Sequence, residues 1–529
     1  MSKFNSAARA ASVRKHPSAT RNFEDGLAFE MDAKTRLYSR AVTSLFGEDK
    51  FYQSGEDHDQ EILNDIAGVA AKDPEFILRL AAYARNEMYL RSVPVVLLAE
   101  AAAIPECKPY VRKWASNILR RADEPGEVVA YWLSRFGSKA KFPSSLKKGI
   151  SDALNRFDEY QLEKYNNTSG TVKTKDVLRI AHPEPKDAKQ NVLYRYLRYG
   201  ELNQELLPKI ALKKNFLRKK ELDAEALDMM QRGSITWEVA ISKFGNRKEV
   251  WEALDLPFMA MLRNLRNMLN AGANMKPVIE KLTDKEAVRK SKQFPFRFYS
   301  AYRELQEVDG SDRILAALSK AITYSIDNLP TLPGMTLIAC DNSGSMESRL
   351  SRRGSVAYRD IANLFGALSY GFCENAVVGA FGTDWARVQL NPADSVFTNM
   401  ERIWRADTKG MATNGYRVIK YLLDKGINVD RIIFLSDMQC YDSRGWGWVA
   451  GREYYETTVA EMFQKYRSSI NPNVFLHSVD LAGYGTVQVP QDTPNVSLIA
   501  GWSDRIFQFI PAFEADKVTA IKHIENYGG

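Results

Sequence analysis

The apolar residues follow two different periods along the chain. Between residues 55 and 325 they recur at helical spacing, in segments such as PEFILRLAAYARNEM and KPYVRKWASNILRRA. Proline and glycine fall between these segments, as at Pro74, Pro105 and Gly137, where a helix begins or ends. Helices of about 10–15 residues joined by short turns predict stacked helix pairs, that is, a HEAT-like α-helical solenoid.

From residue 335 onward, short apolar runs alternate with amphipathic helical segments. The runs MTLIAC, AVVGAF, RIIFLS, NVFLHSV and NVSLIAG predict strands, and a final helix is expected near AFEADKVTAIKHI. This alternation predicts a doubly wound, largely parallel, Rossmann-like sheet. The proline-containing NLPTLPG marks the boundary, so we expect a flexible basic arm at 1–24, a helical domain at 25–330 and an α/β domain at 331–529.

The composition of the 529 residues is that of a globular protein, with 45% hydrophobic and 26% charged residues. No apolar run approaches the ~20 residues that a membrane-spanning helix needs, so no membrane partner is expected. The first 24 residues lack the apolar centre of a secretory signal. Four cysteines without Cys-x-x-Cys spacing argue against a zinc site or a disulfide framework and favour a reducing, cytoplasmic location.

The net charge of +8 is unevenly distributed between the two halves. Residues 331–529 hold 19 Lys and Arg against 21 Asp and Glu, a net charge of −2, which leaves +10 for the first 330 residues. A cationic half favours a polyanionic partner such as nucleic acid. A solvated helical surface explains the same charge equally well.

A cluster of oxygen-bearing side chains follows the strand predicted at MTLIAC. Asp341, Ser343 and Ser345 are presented at the carboxyl end of that strand, where doubly wound folds bind ligands. Carboxylate and hydroxyl oxygens are hard ligands that suit Mg²⁺. The pattern therefore predicts a site for Mg²⁺ or another divalent cation, although a polar turn after a strand can have the same composition.

The Asp-x-Ser-x-Ser motif resembles the metal-ion-dependent adhesion site (MIDAS) of a von Willebrand factor A domain. The resemblance implies a threonine from a second loop and an aspartate from a third. Thr413 in GMATNG matches the threonine, with Thr408 as the alternative, and Asp437 after RIIFLS matches the aspartate. It also implies an open metal position for an acidic group of a partner. Asp384 is a further acidic residue on the same rim, with a weaker claim.

The helical half resembles the TROVE module of the Ro autoantigen family and its bacterial orthologues. The resemblance is carried by the order of LRSVPVVLLAEAA, SLKKGISDAL, KYN, KDVLRIAHP, ITWEVAISKFGNRKEVWEAL, FMAMLRNLRNML and FPFRFYSAYREL, and with the A domain it covers about residues 25–529. It implies a noncatalytic, monomeric protein whose helical ring is closed with the A domain. Small noncoding, Y-like RNA would lie on the basic outer surface. Single-stranded ends of misfolded RNA would enter the central hole.

The resemblance also implies a role in RNA quality control or processing, as a scaffold. The bacterial orthologues suggest polynucleotide phosphorylase, an exoribonuclease, as a partner bridged by the RNA. Two alternatives remain. The first is a metal-dependent adhesion or assembly module with a protein-binding helical half. The second is a metal-dependent nuclease, for which we see no second carboxylate cluster and no general base.

The candidate RNA-binding residues come from the resemblance and from local charge. His182 and Lys164 match a conserved histidine and a conserved basic residue of the family, whereas the long Asn/Thr/Ser-rich loop between them leaves the roles of Lys173 and Lys175 open. His182 has the alternative of simply ending its helix. The remaining candidates are basic residues on predicted helices: Lys147, Lys148, Lys213, Lys214, Arg218, Lys219, Lys220, Arg263 and Arg266.

An aromatic, glycine-rich insertion, YDSRGWGWVAGREYY, follows the third metal loop at Tyr441–Tyr455. Exposed aromatic residues favour a partner-binding lid. A loop with buried tryptophans has the same composition, so the sequence leaves both interpretations open.

Overall fold

The protein, here a computed structural model, is described at residue 13 and at residues 15–43, 46–232, 235–352, 354–441, 457–503 and 505–528. Between residues 33 and 325 it is helical, as the apolar spacing predicts. The helices described are α1 Ala33–Val42, α2 Gly55–Ala70, α3 Pro74–Asn86, α4 Ser92–Ala103, α5 Lys108–Ile118, α6 Glu124–Phe136, α7 Ser144–Leu154, α8 Glu159–Lys164, α9 Thr174–Ala181, α10 Ala188–Tyr199, α11 Pro208–Arg218, α12 Ala224–Gln231, α13 Trp237–Phe244, α14 Lys248–Ala253, α15 Phe258–Asn270, α16 Lys276–Thr283, α17 Lys285–Ser291, α18 Pro295–Leu305 and α19 Asp312–Ser325.

Local sequence signals set the ends of these helices. The Asp73 side chain accepts a hydrogen bond from the backbone N–H of Phe76 and so caps α3, which has Pro74 in its first turn. Gly200 ends α10 in the left-handed conformation, at φ 80°. Helices α3 and α4, α5 and α7, and α18 and α19 pack against each other, which confirms the stacked helical architecture.

A basic segment of the helical half is divided between two helices. The segment LKKNFLRKKELDAEAL forms parts of α11 and α12, which are separated at Lys219–Asp223 because Asp223 caps the second helix. The stretch from Ser234 to Gly272 contains three helices. Ser234 is a residue type that favours a helix N-cap, but it lies outside the described residues, and Thr236 caps α13.

The α/β domain has the strand-helix order that the alternation predicts. Its strands form one sheet in the order β5-β4-β3-β6-β7-β9, parallel except for β5. In its centre, Ile338 of β3 pairs with Val378 of β4 and with Ile433 of β6. The elements are β3 Leu332–Asp341, α20 Tyr358–Phe372, β4 Cys373–Phe381, β5 Trp385–Val388, α21 Val396–Trp404, α22 Tyr416–Lys425, β6 Arg431–Ser436, α23 Val459–Ser469, β7 Phe475–Asp480, β9 Val496–Ala500, α24 Arg505–Asp516 and α25 Ala520–Glu525.

The expected final helix near AFEADKVTAIKHI is broken. Helix α24 ends at Asp516, Lys517 takes a left-handed φ of 56°, and Thr519 caps α25. The short edge strand β5 and the helix α21 were not predicted, because their apolar runs are too short to show a clear period.

A second, three-stranded sheet joins the beginning of the chain to the α/β domain. Strand β1 (Ala19–Arg21) pairs with β2 (Leu27–Glu30), and β2 pairs with β8 (Thr486–Val487). The expected flexible arm at 1–24 therefore includes a paired strand. The apolar side chain of Phe29, which is fully buried against the α/β domain, holds this strand pair in place.

Both ends of the helical half pack against the α/β domain. At the first end, α1 lies against β9, and the Tyr38 hydroxyl donates to the Ala500 carbonyl at 3.3 Å. At the other end, α19 contacts α21, and Tyr302 stacks on Phe397 with ring centroids 3.7 Å apart. The path of helices thus begins and ends at one domain. No described helix combines the length and the apolar character needed to cross a membrane.

Candidate functional site

The predicted metal residues converge at the carboxyl edge of the six-stranded sheet. Strands β3 and β6 are adjacent and parallel, so Asp341, at the end of β3, and Asp437, directly after β6, lie at the same edge. Both side chains are buried, with 0% and 1% of their surface exposed. Ser343 and Ser345 are buried beside them.

Hydrogen bonds order these side chains. The backbone N–H of Ser343 donates to Oδ1 of Asp341 at 2.9 Å, and the hydroxyl of Ser436 donates to Oδ2 at 2.6 Å. The hydroxyl oxygens of Ser343 and Ser345 are 3.4 Å apart. Asp437 accepts from the backbone N–H of Gln439 at 3.1 Å. Two carboxylates and two hydroxyls thus share one pocket.

The two carboxyl groups are costly to ionise in this position. Burial raises the pKa of Asp341 to about 6. Burial, together with the nearby Asp341 carboxylate, raises the pKa of Asp437 to about 7. Among the described ion pairs, none joins either aspartate to Lys, Arg or His. A divalent cation would supply the missing positive charge, so the donor set fits Mg²⁺.

Thr413 is buried on a loop that contacts the turn at Ser343–Ser345. The N–H of Gly344 donates to the carbonyl of Met411 at 3.1 Å, and Thr413 follows two residues later. The alternative, Thr408, donates its hydroxyl to the carbonyl of Gly410 at 3.0 Å. This bond uses only the hydroxyl proton and leaves the oxygen lone pairs, so it does not decide between the two threonines. The contact of the Thr413 loop with Gly344 favours Thr413 as the metal ligand.

Asp384, the weaker acidic candidate, is half-buried. Its Oδ1 accepts a hydrogen bond from the backbone N–H of Trp385 at 2.9 Å. This carboxylate orders its own turn and is not hydrogen-bonded to the described metal residues.

The start of the chain contributes side chains that the sequence did not reveal. The Tyr52 hydroxyl donates to Glu24 and is also within hydrogen-bonding reach of Ser345. Burial and the Glu24 contact raise the pKa of Tyr52. Asn22 fixes this segment by donating to the carbonyl of Cys440 at 2.7 Å. No local pattern signals these contacts, because they join residues that are 28 positions apart or, for Asn22 and Cys440, 418 positions apart.

A third buried carboxylate was also missed. Asp480 ends β7 as Asp341 ends β3, and the motif NVFLHSVD carries this signal in the sequence. Asp480 accepts from the Ser39 hydroxyl at 2.6 Å and from the N–H of Gly483 at 2.8 Å. Burial raises its pKa and lowers the pKa of nearby Lys50 to about 7. These contacts assign Asp480 to the junction between α1 and the sheet.

The first basic candidates lie on α7, α8 and α9. Lys148 is exposed and Lys147 is half-buried on the same turn of α7. The ammonium of Lys164, at the end of α8, lies 5.5 Å from the ring centroid of Tyr165. Lys173 precedes α9, and Lys175 lies in its first turn. These residues are accessible to solvent at least in part.

His182 ends α9 in the left-handed conformation, at φ 45°. Its backbone N–H donates to the carbonyl of Leu178 at 3.2 Å, while its side chain is exposed. The backbone of His182 therefore closes the helix and leaves the imidazole on the surface.

The cluster at 213–220 is partly neutralised. Lys213 pairs with Glu163 at 2.8 Å, and Lys219 pairs with Asp223 at 3.0 Å and with Glu225. The Lys214 ammonium lies 4.7 Å from the ring centroid of Tyr196. Two residues of the cluster are exposed and form no ion pair with a described carboxylate: Arg218 and Lys220.

Arg263 and Arg266 are both exposed on α15, rather than packed along its apolar side. Arg266 lies 3.2 Å from a Glu304 carboxylate oxygen. Most of the aromatic insertion at Tyr441–Tyr455 lies outside the described residues, so both interpretations of it stay open.

Comparisons with known proteins agree with the helical pattern. The TROVE domain model matches residues 37–231 and 227–324, together more than half of the chain. Telomerase protein component 1 of Rattus norvegicus is 28% identical over 311 residues, which cover 47% of this chain and 12% of that protein. The same component of Mus musculus is 28% identical over 320 residues, 48% of this chain and 12% of that protein. This chain thus spans only a small part of the length of these two relatives.

A third relative is similar over more of its length. The RNA-binding protein RO60 of Deinococcus radiodurans is 24% identical over 367 residues, 65% of this chain and 69% of that protein. The crystal structure of the Deinococcus radiodurans Ro (RSR) protein matches with a TM-score of 0.67 at 17% identity, covering 92% of this chain and 100% of that one. This match confirms the combination of a helical repeat domain with an α/β domain. On the strength of the family model, the chain belongs to the TROVE-domain family.

Proposed function

We propose that this protein is a noncatalytic RNA-binding protein whose helical half carries the RNA. The observation that supports this most is the family match over residues 37–324, which coincides with the half of net charge +10. The Deinococcus relative is named an RNA-binding protein. Exposed Lys and Arg neutralise phosphates and release counterions, which gives affinity without sequence specificity.

The path of helices suggests how RNA would be arranged. Since both of its ends pack on the α/β domain, the helices can enclose a central hole. We propose that Y-like RNA binds the basic outer surface and that single-stranded ends of misfolded RNA enter the hole. As a cytoplasmic monomer, the protein would then scaffold RNA quality control, with an exoribonuclease such as polynucleotide phosphorylase bridged by the RNA.

The metal site has a separate role in this proposal. Asp341, Ser343, Ser345, Thr413 and Asp437 of a von Willebrand A-type domain would hold Mg²⁺, directly or through water. The cation would supply a position that accepts a carboxylate from a protein partner. The buried, unpaired aspartates support this assignment.

The deciding experiment is to purify the full-length protein from its own cells and sequence the RNA that accompanies it. We expect one abundant, structured small RNA. Recovery of protein partners with no enriched RNA would contradict the proposal and would favour the alternative, a metal-dependent adhesion or assembly module. Protein binding should persist at high salt, whereas RNA binding weakens steeply.

A nuclease test addresses the noncatalytic part. The purified protein should leave a hairpin RNA and a single-stranded RNA intact during incubation with Mg²⁺. Cleavage that disappears in Asp341→Ala would show that the metal site is catalytic.

A further inference from the structure

A large cleft lies where α18 of the helical half meets α20, α21 and β5 of the α/β domain. Its volume is 1260 Å³. Small-molecule sites typically have about 300–1,000 Å³. The size of the cleft therefore favours a segment of a polymer over a single small ligand.

The cleft is lined by six arginines, which differ in their partners. Three are neutralised: Arg359 pairs with Glu347, Arg402 with Asp394 and Arg405 with Glu401.

The other three arginines are Arg303, Arg349 and Arg387. They are exposed, and none forms an ion pair with a described carboxylate. Of the lining acids, Glu347 and Glu401 pair with the neutralised arginines, and Asp407 pairs with Lys409. Asp360 accepts the N–H of Ala357 at 2.9 Å, a bond that does not neutralise its charge. The cleft thus has three arginines without an ion-pair partner among the described residues, Arg303 from the helical half and Arg349 and Arg387 from the α/β domain.

Aromatic side chains lie among these arginines. The Trp404 side chain is 45% exposed, although it is one of the largest apolar groups in the protein. The Arg359 guanidinium covers one face of the Trp404 indole and lies 4.9 Å from its ring centroid. Tyr302 and Phe397 stack on each other in the same wall. An exposed indole in a cleft that also holds three unpaired arginines is suited to stack a planar base while the phosphates meet the guanidiniums.

We propose that this cleft is a binding site for single-stranded RNA, separate from the basic residues on α7 to α15. The inference rests on the proposed RNA-binding function and adds a site where the helical half meets the α/β domain. An acidic peptide would satisfy the arginines, but it would leave the exposed face of Trp404 without a planar partner. For this reason RNA fits the cleft better.

The test uses the full-length protein and a fluorescent 12-nucleotide oligouridylate, with anisotropy measured at low salt. The variant Arg303→Gln/Arg349→Gln/Arg387→Gln should bind the oligonucleotide at least tenfold more weakly. Trp404→Ala should lose about tenfold, as expected for one stacked base. The matched control, Lys425→Gln/Lys465→Gln/Arg467→Gln, removes three charges of the α/β domain outside the cleft and should stay within twofold of the wild type.

A second measurement does not depend on the stability of the variants. A 4-thiouridine oligonucleotide crosslinked to the wild-type protein should attach to peptides that contain α21 or β5. Crosslinks confined to the helical half outside α18 would overturn the inference, as would equal losses in the cleft variant and the control. Displacement of the oligonucleotide by a 12-residue polyglutamate at equal concentration would also overturn it, because the site would then accept any polyanion.

A hairpin RNA titrated in parallel separates the two proposals. If the wild type binds neither RNA, the proposed function fails. If every variant binds the hairpin equally, and the cleft variant binds the oligonucleotide as tightly as the wild type does, only the cleft assignment fails.

Discussion

The helical half and the α/β domain place their charged groups in opposite ways. The metal aspartates are buried and unpaired, and strand ends hold them in position. The basic candidates of the helical half are mostly exposed, and several are paired with nearby acids, as Lys213 is with Glu163. A buried charge without a partner is costly and points to a missing ligand, whereas an exposed charge costs little and is weak evidence for one.

The largest expected difference between the two halves is the effect of salt on their affinities for RNA and for Mg²⁺. If RNA contacts about six phosphates, its affinity should fall about 10³-fold between 50 and 200 mM salt. Magnesium affinity should change far less, since buried charges are poorly screened. Filter binding for RNA and calorimetry for Mg²⁺ would measure both. An RNA affinity that is independent of salt would contradict the assignment of RNA binding to exposed basic residues.

Asp341→Asn tests the buried site alone. We expect at least about 100-fold weaker Mg²⁺ binding, because a ligand charge is lost from a dry pocket. The wild-type thermal midpoint should rise when Mg²⁺ is added, and that of the variant should not. Asp384→Asn is the matched control and should keep the response. Hairpin RNA should bind both variants as it binds the wild type.

Glu514→Gln compares a buried ion pair with an exposed one. Burial raises the pKa of Glu514, but hydrogen bonds from His477 and Arg431 outweigh burial and hold it at about 2. The variant should lose about 2–3 kcal/mol of unfolding free energy at pH 7. Glu201→Gln, which breaks the exposed pair with Arg195, should lose less than about 1 kcal/mol.

The sign of the pH dependence follows from the lowered pKa of Glu514. The contribution of Glu514 to the free energy of unfolding is fully present above about pH 4.3, the pKa of a glutamate in the unfolded chain. It is lost as the pH falls toward 2, the pKa in the folded protein. Urea unfolding at pH 7, 4 and 2.5 would measure it. A wild-type advantage over Glu514→Gln that is equal at all three values would contradict this account.

The smallest expected effect is the difference in RNA affinity between two double variants of the 213–220 cluster. Arg218→Gln/Lys220→Gln should weaken RNA binding by about tenfold, because these side chains have no ion-pair partner among the described residues. Lys213→Gln/Lys219→Gln removes the same charge from paired residues and should cost only a few-fold. Competition binding with one labelled hairpin would compare the two variants directly. Equal effects would show that the existing ion pairs do not matter for RNA.

The α/β domain was more predictable than the helical surface for a physical reason. A short apolar run fixes a strand, and the residue that follows it must lie at the carboxyl edge of the sheet, as Asp341 and Asp437 do. The helical spacing likewise predicted most helices. It could not predict which lysines are paired, since Lys213 and Glu163 are 50 positions apart.

Contacts across the whole chain were beyond any local pattern. The hydrogen bond from Asn22 to the carbonyl of Cys440 joins two segments 418 positions apart, and neither segment shows a motif. The break after Asp516 was missed because AFEADKVTAIKHI keeps helical spacing through a residue that adopts a left-handed conformation.

The three-stranded sheet has a consequence for how the protein folds during its synthesis. Strand β2 finds its partner β8 only when residue 487 has been made, and Tyr38 reaches Ala500 across 462 positions. At roughly 5–20 residues per second, the ribosome delivers that partner roughly 20 to 90 s after the first helix. Until then the first helix can pack against the helices that follow it but not against the sheet, so the end of the chain completes the contact between the two halves.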